Sequence, residues 1–319
     1  MKKTTVTSFA LTLLLSIAQL AGAQSIFPGG PPPPPPPIGI GGCAVLPANN
    51  IWNKRIDNLP VHRYSSQYIS TIGASSGLHP DFGPAYGIPF ITVPGKTQPP
   101  ATVNFDYADE SDPGPYPIPD NAPIEGGNDH HVLVVDTDNC ILYEMYAAQY
   151  LSPLNWYAGS GAVFNLNSNA LRPAGWTSAD AAGLPIIPGL VRYDEVASGA
   201  ITHALRFTVR HTQRAYVWPA RHEASNLVGY QYPPMGTRIR LKASFNISGF
   251  SHQNQVILTA MKKYGMFLAD NGSNMFFTGA TDPRWDINAL HALGAVVAGN
   301  FEVVDESGLM IDPNSGQSR

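Results

Sequence analysis

A carboxylate, a histidine and a second carboxylate are spaced so that a β-hairpin would bring them to one surface. Asp129 and His131 precede a run of strand-forming residues, and Glu144 lies in the apolar stretch that follows a polar turn. We predict a two-residue loop at Thr137–Asp138. This loop places His131 opposite Glu144. Asp129 then lies on the same face as these two residues, because side chains alternate along strands. A three-residue loop would shift the pairing by one position and separate the pair.

Two carboxyl groups beside a histidine suit acid–base chemistry on a glycan. Neighbouring carboxyl groups push their pKa values apart, so that one holds a proton while the other is ionised. Glycoside hydrolysis needs such a pair. The sequence therefore predicts a polysaccharide-degrading hydrolase in which Asp129 and Glu144 are catalytic and His131 tunes their pKa values. A simple cross-strand ion pair between His131 and Glu144 explains the same spacing equally well.

An arginine on a second strand fits a different reaction class. In the predicted strand His203–Arg210, alternate apolar residues mark the buried face, and Arg206 lies on the other face. Elimination on a uronic acid polymer needs a cation to neutralise the sugar carboxylate and a base to remove a proton. Arg206 could supply the cation and Tyr146 or His131 the base, which makes a polysaccharide lyase the first alternative. A solvated strand face is the simpler explanation of Arg206.

Three tryptophans fall in or beside predicted loops, namely Trp156, Trp176 and Trp218. Aromatic faces stack on sugar rings, so these side chains and Tyr146 are candidate substrate-binding residues. The same aromatic surface without catalysis describes a carbohydrate-binding or surface interaction module, which is the second alternative. In each interpretation the expected partner is a polysaccharide or a cell-surface glycan.

An acidic, proline-rich loop precedes the hairpin. Asp109–Pro119 carries three acidic residues among four prolines and leads through Glu125 to the hairpin. Such a stiff loop could meet the hairpin at one rim, to which His222 is a further candidate, or it could bind a structural calcium ion. The sequence contains no H-E-x-x-H, P-loop or dinucleotide-binding motif, so we expect no required cofactor and no catalytic metal site.

The N-terminus has the features of an export signal. A basic start, an apolar run and an A-x-A cleavage site predict a signal peptide over Met1–Ala23. The proline run within Gln24–Gly42 predicts a semi-rigid linker. We therefore expect a secreted or periplasmic protein without a later membrane span. A formal net charge of −4 and the lack of a basic run argue against a nucleic-acid partner.

The chain contains two cysteines, Cys43 and Cys140. In an exported protein, two cysteines are expected to form one disulfide, which here would tie the start of the domain to the hairpin. A zinc site is disfavoured, because structural zinc usually needs several thiolates at close spacing.

The remaining pattern predicts one β-rich domain over residues 43–304, since no second linker or repeat interrupts it. Short β-branched and aromatic runs favour an antiparallel β-sandwich, jelly-roll or lectin-like, with a few peripheral helices, and an α+β fold is the alternative. We predict a hairpin turn at Asn271–Gly272 and a flexible tail over Asp305–Arg319. The predicted strands are Ile88–Val93, Ala101–Tyr107, Val132–Val135, Ile141–Tyr146, Ala162–Leu166, His203–Arg210, Ala215–Trp218, Arg238–Ala243, Gly265–Asp270 and Asn274–Phe277, and the predicted helices are Gln253–Tyr264 and Ile287–Leu293.

The segment Gly183–Thr208 resembles a pattern in exported bacterial proteins of unassigned function. The matching residues are Leu184–Ile187, Gly189–Val191, Asp194, Glu195, Gly199 and His203–Leu205. The stretch Asp129–Glu144 is similar to the same group of proteins. The resemblance implies a single exported domain, and it carries over no activity and no catalytic residue.

Overall fold

Strands outnumber helices in the part of the chain that the structure describes. The computed structural model describes Met1 and residues 38–319, so the rest of the predicted signal peptide and the predicted linker as far as residue 37 lie outside the described residues. Residues 38–319 fall in one compact unit. No helix within them is long and apolar enough to cross a bilayer.

The elements have the following bounds. The strands are β1 His79–Asp81, β2 Phe90–Val93, β3 Thr102–Phe105, β4 Val132–Asp136, β5 Ile141–Tyr146, β6 Gln149–Ser152, β7 Asn155–Ala158, β8 Ser160–Asn165, β9 Leu205–Val209, β10 Arg238–Leu241, β11 Met266–Asn271, β12 Phe276–Thr278 and β13 Phe301–Val303. The helices are α1 Ser65–Ile72, α2 Tyr193–Ser198, α3 His252–Lys263 and α4 Ile287–His291.

The described strands form three sheets, ordered β1-β12-β9-β11-β10-β13, β2-β4-β5-β8 and β3-β7-β6. The mainly β class with few helices is therefore confirmed. Each sheet contains both parallel and antiparallel pairs, where the sequence predicts antiparallel ones. The parallel pairs join strands that are far apart in the chain, such as β1 and β12, and local sequence pattern does not encode such pairings.

The four-stranded sheet lies between two hydrophobic cores. Leu133 and Val135 of β4 belong to the main core. Val132 and Val134 point to the opposite face and belong to a smaller core that also holds Trp156 of β7. Burial of both faces explains why β4 is a continuous apolar run and not an alternating one. The two cores and the sheets around them give a layered, sandwich-like arrangement.

The central hairpin forms with a longer loop than predicted. A four-residue loop, Thr137–Cys140, joins β4 to β5, and Glu144 lies opposite Leu133. The predicted two-residue loop and the direct pairing of His131 with Glu144 are therefore wrong. The carboxylate of Asp136 favours the longer loop, because it accepts hydrogen bonds from two backbone N–H groups of the loop. The pairing moves by two positions, so His131 and Glu144 still point to the same face.

Strand β9 lies inside the six-stranded sheet, parallel to β11 and antiparallel to β12. The hairpin predicted at Asn271–Gly272 is wrong, because β9 lies between the two strands that this turn was expected to pair. The predicted strand Ala215–Trp218 is reduced to an isolated bridge between Tyr216 and Met235. The sequence pattern does not predict β1, β6, β7 and β13, which are short.

Helix α3 confirms the predicted helix and both of its ends. The hydroxyl of Ser251 accepts a hydrogen bond from the backbone N–H of Asn254 at 3.3 Å. Gly265 follows the last turn with a φ of 69°, a conformation that glycine adopts without strain. Helix α4 is also capped as predicted, by the carboxylate of Asp286. The pattern does not predict α1 and α2.

Cys43 and Cys140 form a disulfide bond, with 5.5 Å between their Cα atoms. The bond ties the start of the domain to the β4–β5 loop, as the sequence predicts. Cys43 is buried, so the link is anchored in the main core at one end.

The C-terminal segment 305–319, predicted to be flexible, packs against the domain. The indole N–H of Trp218 donates a hydrogen bond to the carbonyl oxygen of Ser315 at 2.8 Å. The backbone N–H of Ser318 donates to the carbonyl oxygen of Asn49 at 2.9 Å. Hydrogen bonds to backbone carbonyl oxygens fix this polar segment to the domain. Such contacts do not depend on hydropathy, so a polar composition does not predict them.

Candidate functional site

A cavity of about 430 Å³ opens where the mouth of the central hairpin meets the acidic loop. Separate parts of the chain contribute its chemically active lining residues, which are Tyr107, Glu110, Asp129, Tyr146, His222 and Asp270. The sequence-based expectation that the acidic loop and the hairpin share a rim is therefore met. Carboxyl groups, an imidazole and phenols in one concave site make this cavity the candidate active site.

Asp270 lies at the end of β11, directly after the buried residues Met266–Ala269. Burial, aided by the nearby charge of Asp180, raises the pKa of Asp270 to about 7, and the guanidinium of Arg206 opposes the increase. A carboxyl group with such a pKa holds a proton in a large fraction of molecules near neutral pH. Asp270 can therefore act as a proton donor in the cavity.

Asp129 and Tyr146 lie on the hairpin side of the cavity. Asp129 is exposed, and its carbonyl oxygen accepts a hydrogen bond from the backbone N–H of Ala147 at 2.8 Å. Burial raises the pKa of Tyr146, and the charges of Asp129 and Asp270 add to the increase. The phenol therefore stays protonated near neutral pH and can donate a hydrogen bond to a bound ligand.

Glu110 and His222 face each other elsewhere on the lining, with 3.9 Å between Oε2 of Glu110 and Nε2 of His222. The carboxylate of Glu110 accepts a hydrogen bond from the backbone N–H of Thr177 at 3.0 Å. Nδ1 of His222 lies 2.8 Å from the carbonyl oxygen of Ala181. Both side chains are thus positioned by the backbone of one loop, residues 177–181.

His131 lies beneath the cavity and does not line it. Its Nδ1 contacts the carboxylate of Glu125, and its Nε2 lies 3.0 Å from the carbonyl oxygen of Ala179. Burial alone would lower the pKa of His131, but the carboxylate of Glu125 outweighs that effect and raises the pKa. Since both ring nitrogens face protein oxygen atoms, His131 holds Ala179 in the cavity floor and has no nitrogen available for a substrate.

Glu144 is also absent from the cavity lining, contrary to the predicted catalytic pair. Its side chain is 0% exposed. The carboxylate accepts hydrogen bonds from the backbone N–H groups of Ile186, at 2.9 Å to each oxygen, and of Ile187, at 3.0 Å. Burial raises the pKa of Glu144 to about 7, and these hydrogen bonds oppose the increase. The 184–187 segment covers the hairpin face that the sequence predicts to be open, so we assign Glu144 no catalytic role.

Arg206 is buried in an ion pair and does not reach the cavity. Its guanidinium contacts the carboxylate of Asp180 through Nε and Nη2, each at 2.9 Å. Nη1 donates to the hydroxyl of Thr278 at 2.9 Å. The strand face that carries Arg206 is therefore neither solvated nor available to neutralise a sugar carboxylate.

The three predicted tryptophans lie outside the cavity lining. Trp156 is buried in the smaller core. Trp218 lines a separate, mostly apolar cavity of about 360 Å³, and Trp176 is half-buried. The aromatic surface of the acidic cavity comes instead from Tyr107 and Tyr146.

Two residues of the candidate site, Tyr107 and Asp270, are not singled out by the sequence pattern. For Asp270 a signal was present, because an acidic residue directly follows the apolar run of a predicted strand. Since β9 and β11 are parallel, their carboxyl ends meet at one edge of the sheet, where functional side chains commonly lie. Without the parallel pairing, the sequence gives no reason to prefer this residue over other acids near strand ends.

Within residues 38–319, no group of three or more histidine, cysteine, aspartate or glutamate side chains is arranged to hold a metal ion. No family model matches this sequence, and no curated protein or solved structure is significantly similar to it. The functional argument therefore rests on the chemistry of the cavity.

Proposed function

We propose that this protein hydrolyses a glycan in the acid-lined cavity. The observation that carries the proposal is the convergence of Glu110, Asp129 and Asp270 on one cavity, where burial raises the pKa of Asp270 to about 7. A carboxyl group that holds a proton beside further carboxyl groups is the arrangement that glycoside hydrolysis needs.

The lining residues have distinct roles in this proposal. Asp270 donates its proton to the glycosidic oxygen as the bond to that oxygen breaks. Asp129 places negative charge where positive charge develops on the sugar ring in the transition state. Tyr107 and Tyr146 offer aromatic faces for stacking and hydroxyl groups for hydrogen bonds to the glycan.

The charge of the cavity favours hydrolysis over elimination. No lysine or arginine is among its lining residues, and Arg206, the predicted cation, is occupied by Asp180. A uronic acid polymer would bring its carboxylates against the carboxylates of Glu110 and Asp129, which is electrostatically unfavourable. A neutral or amine-bearing glycan fits the lining better.

The predicted export signal and the disulfide support a setting outside the cytoplasm. Disulfides persist in oxidising compartments, which is where a secreted or periplasmic enzyme would meet a polysaccharide or a cell-surface glycan. The proposal needs no bound cofactor, because proton transfer and charge stabilisation both come from side chains of the cavity.

The test is turnover of defined glycans by the purified mature chain and by Asp270→Asn. We expect the wild type to release reducing ends from at least one of cello-, xylo- and chito-oligosaccharides. The variant should lose about 100- to 10,000-fold in kcat/KM, because asparagine cannot donate the proton, and should keep its unfolding temperature. Asp194→Asn removes an exposed carboxylate outside the cavity and serves as the matched control.

Other products contradict hydrolysis. Unsaturated products from alginate or polygalacturonate would indicate a lyase. Retention of the oligosaccharides without any product would indicate a binding module. Full activity of Asp270→Asn would remove Asp270 from the mechanism.

A further inference from the structure

The imidazole of His222 is held in one tautomer. Its Nδ1 lies 2.8 Å from the carbonyl oxygen of Ala181. A carbonyl oxygen only accepts hydrogen bonds, so Nδ1 donates and carries the ring proton. In the neutral ring, Nε2 therefore presents a lone pair that can accept a proton.

The carboxylate of Glu110 lies next to Nε2 of His222 on the cavity lining. The 3.9 Å between its Nε2 and Oε2 of Glu110 is too long for a hydrogen bond. One water molecule at a hydrogen-bond distance of about 2.8 Å from each atom fits this separation, and it would donate one hydrogen to each. The pair thus forms a place on the cavity lining where one water molecule can bridge the two side chains.

The residue directly before His222, Arg221, keeps this geometry fixed. The buried guanidinium of Arg221 donates to the carbonyl oxygens of Arg172, at 2.7 Å, and Pro313, at 2.6 Å. The backbone N–H of Arg221 donates to the carbonyl oxygen of Ala182 at 2.8 Å. Support of this kind holds a reacting group in position before the substrate arrives.

We infer that His222, assisted by Glu110, is the general base that activates the hydrolytic water, an inference that rests on the proposed glycan hydrolysis. The water oxygen bonds to the anomeric carbon as the glycosidic C–O bond breaks. His222 Nε2 takes a proton from the water, and Asp270 gives its proton to the departing oxygen. Solvent then returns a proton to Asp270 and removes one from His222. Because water attacks directly, the anomeric configuration inverts and no covalent intermediate forms.

Substitution of His222 by asparagine separates the chemical role from a structural one. The amide nitrogen of asparagine takes the place of Nδ1 and can donate to Ala181, whereas the base Nε2 is removed. We expect His222→Asn to keep the wild-type unfolding temperature and to lose about 100- to 10,000-fold in kcat on the oligosaccharide that the wild type cleaves best. Added azide, which needs no base, should restore turnover and yield a glycosyl azide. His252→Asn, at an exposed histidine, is the matched control.

Two further readouts decide the role of His222. Proton NMR of the first wild-type product should show inverted anomeric configuration, and retained configuration would overturn the inference. Nitrogen NMR of histidine-labelled protein should find the proton on Nδ1 of His222, and a proton on Nε2 would overturn it whatever the activity. Wild-type turnover in His222→Asn would show that His222 is not the general base, and the proposed glycan hydrolysis would still stand. Failure of the wild type to cleave any of the oligosaccharides would overturn both.

Discussion

Solvent access decides which of the buried acids can act on a substrate. Burial raises the pKa values of Glu144 and Asp270 to about 7 in each case, yet only Asp270 borders the cavity. Residue type and spacing identify Asp129 and Tyr146, which do line it. They also select His131, which supports the floor. Residues 184–187 cover part of the hairpin face, and the hairpin sequence alone does not predict this. That cover explains why Glu144 is enclosed while Asp129 and Tyr146 reach the cavity.

Glu144→Gln is expected to change the pH dependence of stability and to leave turnover intact. The pKa of Glu144 rises from 4.5 to about 7 on folding, so the folded chain retains a proton that the unfolded chain releases over this range. Stability is therefore lost as the pH rises through that window. Glutamine does not ionise, so between about pH 5 and about pH 7.5 the wild type should lose about 2 kcal/mol more than the variant.

Urea unfolding at the two pH values measures this difference. The glycan assay on the same preparations provides the second readout. If the wild type and Glu144→Gln differed in the free energy of unfolding by the same amount at both pH values, the raised pKa of Glu144 would be contradicted. Loss of turnover in Glu144→Gln would indicate that Glu144 has a catalytic role.

At the scale of elements, local chemistry predicts the ends of helices better than the pairing of strands. Ser251 and Gly265 define both ends of α3 as the sequence indicates, because capping depends on near neighbours. The register of β4 and β5 depends instead on the loop, where Asp136 binds backbone N–H groups and favours four residues over two. Only an even shift in register kept His131 and Glu144 on one face.

Gly265→Ala is expected to destabilise the protein where α3 passes into β11. Gly265 has a φ of 69°, and a Cβ atom at this position would lie 2.2 Å from the carbonyl oxygen of Ile239. The backbone must shift to accept it, so we expect a loss of about 2 kcal/mol in the free energy of unfolding. Gly249→Ala is the control, because a Cβ atom there meets nothing within 4 Å. Equal stability of the two variants in urea would contradict the described backbone.

At the scale of the whole molecule, composition predicts the class and contact between distant segments sets the topology. Short β-branched runs and few helical patterns correctly indicate a mainly β chain. The parallel pairing of β1 with β12 and of β9 with β11 joins segments that no local pattern connects. The packing of residues 305–319 has the same origin, since donors such as Trp218 come from elsewhere in the chain.

Removal of the disulfide is expected to weaken the whole domain. Cys43 and Cys140 are separated by 97 residues, and closing a loop of this length stabilises the folded state by about 4 to 5 kcal/mol on the chain-entropy account. Replacement of both cysteines by alanine should lower the free energy of unfolding by that amount. A reducing agent should have the same effect on the wild type and none on the double variant. A wild type that is indifferent to reduction would contradict the prediction.

The position of Trp156 has an optical consequence. Among the tryptophans that the structure describes, only Trp156 belongs to the smaller core. A chain in which it is the sole tryptophan would report by its fluorescence on the smaller core alone, whereas circular dichroism reports on all the sheets. Coincident melting of the two signals would show that both cores unfold as one unit. A change in the emission of Trp156 on addition of a glycan would show that ligand binding in the acid-lined cavity alters the packing of the smaller core.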